Sequence, residues 1–361
     1  AKSEQVFFAA DYIGDHRDIP LYHEVNEGGP VLLVRRNSSI KVLPQGGLDT
    51  FKSCPPDCGW LNPIQAILGI ATVCTDAFRL FANFLDREPG LYYQIAALPY
   101  RRLMIRALIN RYRPKYYWGR DDYNVEHIIR RQELHRAGGI SLGIQHGFPV
   151  STTVSPMWRY ISFDTYFVAG LAVYEKHLKT TWATDMEVIP IGTFGATRED
   201  YEYINLPKPK NIIICTAMAV GEPELVSFVR DLAETLPTYK IFLQVKFNFV
   251  ETETGRRFID ACTEGLHNVS HTRESVFNLF RQGRYIFTDP STLISEALKM
   301  RLNCFAIDIL SYHKSSILRD FPEICVSSGV DAGNRIKEIE SGERQYPRES
   351  FAGLSDLSDT P

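Results

Sequence analysis

The chain has 361 residues, of which 44% are apolar and 23% are charged, the composition of a globular protein with a large core. A formal net charge of −3 excludes bulk electrostatic attraction to nucleic acid, and the length suits two domains. Seven scattered cysteines, with no second Cys or His pair beside Cys54 and Cys58, do not make a zinc site and indicate reduced thiols in the cytoplasm. The polar start of the chain shows no signal-peptide core.

Strands and helices alternate in the first half of the chain. The predicted strands are residues 31–34, 116–119, 140–145, 166–170 and 188–192. The predicted helices are residues 64–84, 101–112 and 125–136, with a further one through His177. The most apolar run, residues 64–74, is shorter than the roughly 20 residues of a membrane span, so it predicts a buried helix and no spanning segment.

Residues 206–210 carry two prolines and two lysines, which predicts a linker. The same alternation follows it, with predicted strands at residues 211–217, 240–246, 269–270, 284–287 and 303–308. Helices are predicted between these strands, and parallel sheets covered on both faces follow from that order. The fold prediction is therefore α/β, with two Rossmann-like domains facing a cleft. Their predicted bounds are 1–205 and 206–340, followed by a loose tail over 341–361.

The stretch from Asp289 to Glu296 predicts a phosphate site in the second domain. Asp289 is a good N-cap and Pro290 suits the first helical position. Ser291 and Thr292 place two hydroxyls beside the free N–H groups of that first turn, where an anion is favoured. Glu296 lies about one turn further on and can accept from a ribose hydroxyl. An ordinary capped helix is the alternative interpretation.

A cation at the end of a neighbouring strand can offset the charge of a bound phosphate without a metal. Lys246 ends the second predicted strand of the second block. No Asp-x-Asp motif offers a divalent site, so we expect no metal and no cofactor beyond the sugar donor.

Ionisable residues also follow two strands of the first block. Asp121 and Asp122 come directly after residues 116–119, and His146 ends the strand over 140–145. A strand-end carboxylate suits a general base or a covalent nucleophile, and a histidine beside it can assist as acid or base. We predict Asp122, or else Asp121, as the catalytic carboxylate with His146 as its assistant. Helix capping by the carboxylates and a structural histidine are the alternatives.

The layout resembles that of GT-B glycosyltransferases over about residues 115–310. Residues 289–298 resemble the Ser/Thr pair followed by Glu-Ala-Leu in enzymes of bacterial surface-polysaccharide synthesis. Residues 144–149 resemble the Gln-His-Gly segment of capsule and O-antigen proteins, which adds Gln145 and Gly147 to the predicted donor-binding residues. The resemblance implies transfer of a sugar from a nucleotide donor to a glycan or glycolipid acceptor. Sugar-nucleotide 2-epimerases share the two-domain plan and remain an alternative.

A narrower resemblance concerns the donor. Bacterial sialyltransferases and Kdo transferases combine a strand-end acidic pair with a Ser/Ser or Ser/Thr pair that binds the phosphate of a CMP-sugar. Asp121-Asp122 and Ser291-Thr292 match these pairs, whereas Lys246-Phe247 stands where those enzymes have His-Pro. The resemblance implies a CMP-linked Kdo or sialic-type donor for lipopolysaccharide or capsule.

Six basic side chains lie between Arg101 and Lys115. Arg102, Arg106 and Arg113 share a predicted helical face, which suits contact with anionic lipid or a phosphorylated acceptor at the inner face of the membrane. A solvated face is the alternative. For the protein as a whole, a glycosyltransferase, a 2-epimerase and a non-catalytic nucleotide- or glycan-binding relative remain open.

Overall fold

The computed structural model describes residues 4–13, 18–34, 51–55, 59–84, 89–120, 126–145, 160–172, 179–193, 198–309 and 317–358, with the single positions 122, 124, 147, 174, 175 and 196. The chain divides into two compact units. The first comprises residues 1–146, 159–167 and 181–189, and the second comprises 147–158, 168–180 and 190–361. The predicted boundary at residue 205 therefore lies too late, because the segment around α5 (Arg198–Glu202) groups with the second unit.

The first unit is built on a seven-stranded sheet with the order β3-β2-β1-β4-β5-β6-β7. Its strands are β1 (Phe8–Ala10), β2 (Val31–Val34), β3 (Phe51–Cys54), β4 (Tyr116–Gly119), β5 (Ile140–Ile144), β6 (Thr165–Val168) and β7 (Glu187–Pro190). The described pairings are parallel, from β3 to β2 at one side through β5 to β6 at the other. β1 and β2 are buried along their whole length, as their continuous apolar sequences require.

The described residues of this unit form four helices: α1 (Asp18–Val25), α2 (Pro63–Phe84), α3 (Pro89–Tyr112) and α4 (Glu126–Ala137). The prediction of a buried helix over residues 64–74 is wrong, because most apolar side chains of α2 are exposed. One face of α2 packs against α3, where Gly69 leaves room for the Leu103 side chain. On its other face the large apolar side chains are exposed.

The second unit is built on a six-stranded parallel sheet with the order β10-β9-β8-β11-β12-β13. Its strands are β8 (Ile212–Thr216), β9 (Ile241–Val245), β10 (Val269–His271), β11 (Tyr285–Thr288), β12 (Asn303–Ile307) and β13 (Cys325–Val326). Besides α5, its helices are α6 (Pro223–Thr235), α7 (Phe247–Val250), α8 (Glu253–Thr263), α9 (Val276–Gln282), α10 (Leu293–Lys299) and α11 (Gly329–Ser341). Both central strands, β8 and β11, are buried at every residue, because apolar side chains cover both faces of the sheet.

The end of the described chain is packed, which corrects the predicted loose tail. Phe351 is fully buried in the core beneath α10, and Leu354 joins the same cluster. Ser355 Oγ donates to the Ser295 carbonyl, and Ser295 Oγ donates to the Leu354 carbonyl, both at 2.8 Å. A polar-looking stretch therefore contributes a few large apolar side chains to the core, which its average composition hides.

Each sheet has one point at which the strand order reverses. In the first unit the chain leaves β1 toward β2 and later returns to its other side as β4. In the second unit it leaves β8 toward β9 and returns as β11. Ligands of open α/β sheets bind beyond the carboxyl ends of strands at such reversals. The β1–β4 edge and the β8–β11 edge are therefore the positions at which the fold predicts a ligand site.

Candidate functional site

The β8–β11 edge is organised by the carboxylate of Asp289. Its Oδ2 accepts from Thr216 Oγ1 at 3.0 Å and from the backbone N–H groups of Ala217 and Met218 at 2.6 and 2.7 Å. Asp289 is buried and comes directly after β11, so it joins the ends of the two strands that flank the reversal. The prediction that it caps the following helix is wrong, since the loop after β8 offers three donors at once.

Ser291 and Thr292 lie where the chain enters α10, and both are half-buried. Thr292 occupies the N-cap position without a side-chain capping bond. Ser291 Oγ accepts from the Leu293 N–H at 3.3 Å and lies 3.2 Å from Thr288 Oγ1. The two hydroxyls therefore stand at the carboxyl edge of the sheet, beside the loop that Asp289 holds.

Glu296 lies deeper than the predicted ribose contact requires. It is buried on α10. Burial raises the pKa of the Cys215 thiol on β8, and the nearby charges of Asp289 and Glu296 raise it further. The carboxylate thus faces the interior beneath the edge. Contact with a ribose stays a prediction.

Lys246 stands on the other side of β8. It follows β9, its N–H donates to the Thr216 carbonyl at 3.0 Å, and its side chain is exposed. Two exposed apolar side chains accompany it: Phe247, which is 82% exposed, and Met218 in the loop after β8. Sequence analysis noted Phe247 only as a departure from the His-Pro pattern and did not name Met218, although an exposed aromatic side chain can stack on a base or sugar.

The β1–β4 edge differs, because the ionisable side chains there are buried and paired with one another. Asp11, which follows β1, accepts from the Tyr117 hydroxyl at 2.8 Å and lies 3.0 Å from Arg130 Nη1. Arg120, which follows β4, donates from Nε to both carboxylate oxygens of the fully buried Asp18, at 2.9 and 3.1 Å.

His127 on α4 belongs to this cluster as well. Arg130 Nη1 lies 2.8 Å from His127 Nδ1, and a guanidinium can only donate, so Nδ1 is the acceptor and the imidazole carries its proton on Nε2. The ring fits because β4 ends in Gly119, where a Cβ atom would lie 2.6 Å from His127 Cε1. No local sequence pattern links the members of this cluster, because its paired acidic and basic residues are more than a hundred positions apart.

Asp122 is buried beside this cluster. The hydroxyl of Tyr166 on β6 donates to its Oδ2, and burial together with the Asp122 charge raises the pKa of Tyr166 well above its usual value. Tyr166 is fully buried and stacks on Phe163. The carboxylate thus faces a packed aromatic group on at least one side.

Two of the three predicted catalytic residues, Asp121 and His146, lie outside the described residues. Gln145 is half-buried directly after β5, the neighbour of β4. Gly147 has a φ of +84°, a backbone conformation that favours glycine. Among the residues that the structure describes, no group of three or more His, Cys, Asp or Glu side chains is placed to hold a metal ion.

No family model and no curated protein matches the chain. Solved structures match it at low identity. MnaA of S. aureus in complex with UDP is 10% identical and superposes with a TM-score of 0.54 over 98% of this chain and 94% of that one. The wall teichoic acid polymerase TagF soaked with CDPG is 11% identical, with a TM-score of 0.50 over 98% and 84%. A UDP-GlcNAc 2-epimerase from Neisseria meningitidis bound to UDP-GlcNAc is 11% identical, with a TM-score of 0.48 over 98% and 95%. The chain thus has the GT-B type of fold with two Rossmann-like units, as predicted.

Proposed function

We propose that the protein is a glycosyltransferase whose nucleotide-sugar donor binds at the β8–β11 edge of the second unit. The observation that carries the proposal is the arrangement at that edge. The hydroxyls of Ser291 and Thr292 lie at the strand reversal, and Asp289 fixes the adjacent loop. An exposed lysine, Lys246, follows the strand on the other side of β8. Neutral hydrogen-bond donors together with one cation can bind a phosphate, and the exposed Phe247 ring can stack on the nucleoside.

The sequence resemblance favours a CMP-linked donor of the Kdo or sialic type. The Ser291-Thr292 pair supports this choice. MnaA in complex with UDP and TagF soaked with CDPG have a similar fold, which makes UDP and CDP compounds the first competitors to test. Calorimetric titration with CMP, CDP, UDP and GDP identifies the nucleotide, and tightest binding of CMP is the expected result.

For the chemical step we propose Asp122, or else Asp121, as the carboxylate that acts on the acceptor hydroxyl, with His146 as its assistant. The support is positional: Asp122 follows β4 at the strand reversal of the first unit, and β5 next to it leads to Gln145 and His146. The acceptor we propose is a surface glycan or glycolipid, met at the cytoplasmic face of the membrane.

The binding assignment is tested by Ser291→Ala/Thr292→Ala. Loss of two hydroxyl partners of a charged phosphate should weaken nucleotide binding by about 1–3 kcal/mol. Thr235→Ala/Ser341→Ala is the matched control, because these hydroxyls lie at the carboxyl-terminal ends of α6 and α11, away from the carboxyl edge of the sheet. Equal affinity of both folded double variants would refute the site.

A sugar-nucleotide 2-epimerase uses the same two-unit fold. A nucleotide-binding site at the β8–β11 edge is therefore compatible with either sugar transfer or epimerisation. Acceptor dependence separates them. Incubation of labelled donor without a glycan should leave the sugar unchanged if the protein is a transferase, whereas an epimerase converts it. Tight nucleotide binding without either reaction would identify a non-catalytic relative.

A further inference from the structure

Helix α2 presents an unusually large apolar surface to solvent. Among the described residues, six large apolar side chains of this one helix are exposed: Ile64, Ile67, Leu68, Ile70, Phe78 and Phe81. Ile64 and Phe78, near its two ends, are 70% and 72% exposed. The segment Pro63–Asn83 is long and apolar enough to cross a membrane, with a mean hydropathy of 1.4 and 6% of its most apolar window buried. Such a patch indicates an interaction surface.

The side chains of α2 divide into three zones around the helix. The face against α3 contains Ala66, Gly69, Val73 and Leu80, which are buried or half-buried. A polar stripe of Gln65, Thr72 and Arg79, spaced seven residues apart, runs along one border, and Asp76 and Asn83 lie on the same border. The remaining zone is apolar apart from Thr75, and at 100° per residue it covers roughly 160° of the circumference. We call this zone the apolar arc.

Positive charge follows the polar border of the arc. Thr72 and Arg79 of the stripe line a groove of about 590 Å³ together with Arg102 and Arg106 of α3. Arg106 Nη2 lies 2.9 Å from the buried Glu133, and Arg136 Nη2 lies 2.7 Å from it, with Arg102 at 4.0 Å. Asp76 also lines the groove, 3.8 Å from Arg79. Two carboxylates thus face four guanidiniums, so the groove keeps excess positive charge.

Helices α2 and α3 together form a helical hairpin whose net charge is positive, whereas the net charge of the chain is negative. Residues 63–112 contain six arginines and three carboxylates, whereas the complete sequence has a net charge of −3. The positive charge is therefore concentrated on the α2–α3 hairpin, beside its apolar surface. A bilayer that contains anionic lipid offers the complementary pattern of a negative headgroup layer over an apolar interior.

We propose that α2 lies in the interface of an anionic lipid bilayer, with the apolar arc in the acyl region and the groove arginines at the headgroup phosphates. The hairpin does not cross the membrane. β3 before α2 and β4 after α3 belong to one sheet, so both helices would have to cross, and α3 would carry Arg101, Arg102 and Arg106 into the hydrocarbon.

The breadth of the arc favours lipid over a second copy of the chain. A helix–helix contact uses a narrow seam of apolar positions, whereas lipid surrounds a helix over a wide arc. About half the circumference of α2 is apolar and uninterrupted by charge from Ile64 to Thr75. The other half is accounted for by the polar stripe and the contact with α3.

Co-sedimentation of the full chain with vesicles tests the proposal. We expect binding to vesicles of phosphatidylcholine mixed with phosphatidylglycerol, weaker binding to phosphatidylcholine alone, and release by salt. Ile67→Ser/Ile70→Ser should lower the partition coefficient at least about tenfold, because both side chains lie in the arc. Leu206→Ser/Val330→Ser, which removes exposed apolar surface from the second unit, is the matched control and should bind like wild type.

The orientation is tested through Cys74, an exposed thiol of α2 that lies within the arc. A polarity-sensitive maleimide dye on Cys74 should shift to the blue on anionic vesicles, and labelled Cys74→Ser should show no such shift. The proposal is overturned if wild type stays in solution or if Ile67→Ser/Ile70→Ser binds as well as the control. Sedimentation equilibrium without lipid supplies a further outcome: a dimer that Ile67→Ser/Ile70→Ser abolishes would assign the arc to a second copy instead.

Discussion

The two strand reversals of this protein have the same topology but differ in the side chains at their edges. At the β1–β4 edge, two carboxylates and two guanidiniums are buried and neutralise one another: Asp11, Asp18, Arg120 and Arg130. At the β8–β11 edge, one buried carboxylate, Asp289, is occupied with a hydroxyl and two backbone N–H groups, and the lysine nearby is exposed.

The difference supports a structural role for the first edge and the proposed binding role for the second. The buried side chains at the β1–β4 edge pair with one another, and these contacts fix how β1, β4 and α4 pack. An edge with hydroxyls and an exposed cation at the same topological position keeps capacity for an external anion. The fold alone therefore does not say which reversal binds a ligand, and the side chains at each edge decide.

The largest effect is expected from Arg120→Met. It leaves Asp18 buried without its cation, which should cost about 3–5 kcal/mol of the free energy of unfolding of the first unit, measured by hydrogen exchange or denaturant. The control Arg257→Met removes an exposed i,i+4 partner of Glu253 and should change stability by less than about 0.5 kcal/mol. Nucleotide affinity should not change in either variant. Similar stability of the two would show that the cluster is dispensable.

Next in size is Asp122→Asn, which keeps the shape and removes the charge. If Asp122 is the catalytic carboxylate, turnover should fall at least about a hundredfold with nucleotide affinity nearly unchanged. Steady-state kinetics together with calorimetry measures both quantities. Near wild-type turnover in Asp122→Asn and in Asp121→Asn would move the search to Glu126, since Asp164 is held by Arg131 and Ser141.

Asp289→Asn probes the second edge. An amide in place of the carboxylate cannot accept equally from Thr216 and two N–H groups, so the loop after β8 should loosen at a cost of about 1–3 kcal/mol in stability. Nucleotide binding measured by calorimetry should weaken along with it. The exposed Asp260→Asn on α8 is the control. Unaltered binding in Asp289→Asn would separate this loop from the nucleotide site.

The smallest effect, none at all, is expected from chelators. We propose metal-independent transfer, so activity in EDTA should equal that without it. Loss of activity in EDTA that magnesium or manganese restores would point to the Asp121-Asp122 pair as a metal site, and would make the first-unit edge a binding edge after all.

Much of the fold could be predicted because continuous apolar strands and intervening helices leave a local signal. The predicted strands over residues 31–34, 116–119 and 211–217 match β2, β4 and β8 within a residue or so. β1 and β3 were missed, because β1 has only three residues and β3 contains the polar residues Lys52 and Ser53. α11 was missed as well, since its glycines and charges obscure its apolar positions.

The site was predictable only where its residues are neighbours in sequence. Ser291 and Thr292 follow β11 at the strand reversal, a position that the strand–turn–helix pattern indicates, and their role in binding stays a prediction. The partners of Asp289 are more than seventy residues away, and those of Asp11 more than a hundred, so no local pattern could reveal either contact. The exposure of α2 was also unpredictable, because an apolar helix has the same composition in a core and on a surface.

The packing of Phe351 and Leu354 has a consequence for the order of events during synthesis. The first unit is complete once Ile189 has been made, whereas the core beneath α10 needs Leu354. At a synthesis rate of 5–20 residues per second, the first unit is complete on the order of 10–30 s before the second unit. The apolar arc of α2 is therefore exposed on the nascent chain before the second unit has folded, so the proposed membrane contact does not depend on completion of the second unit.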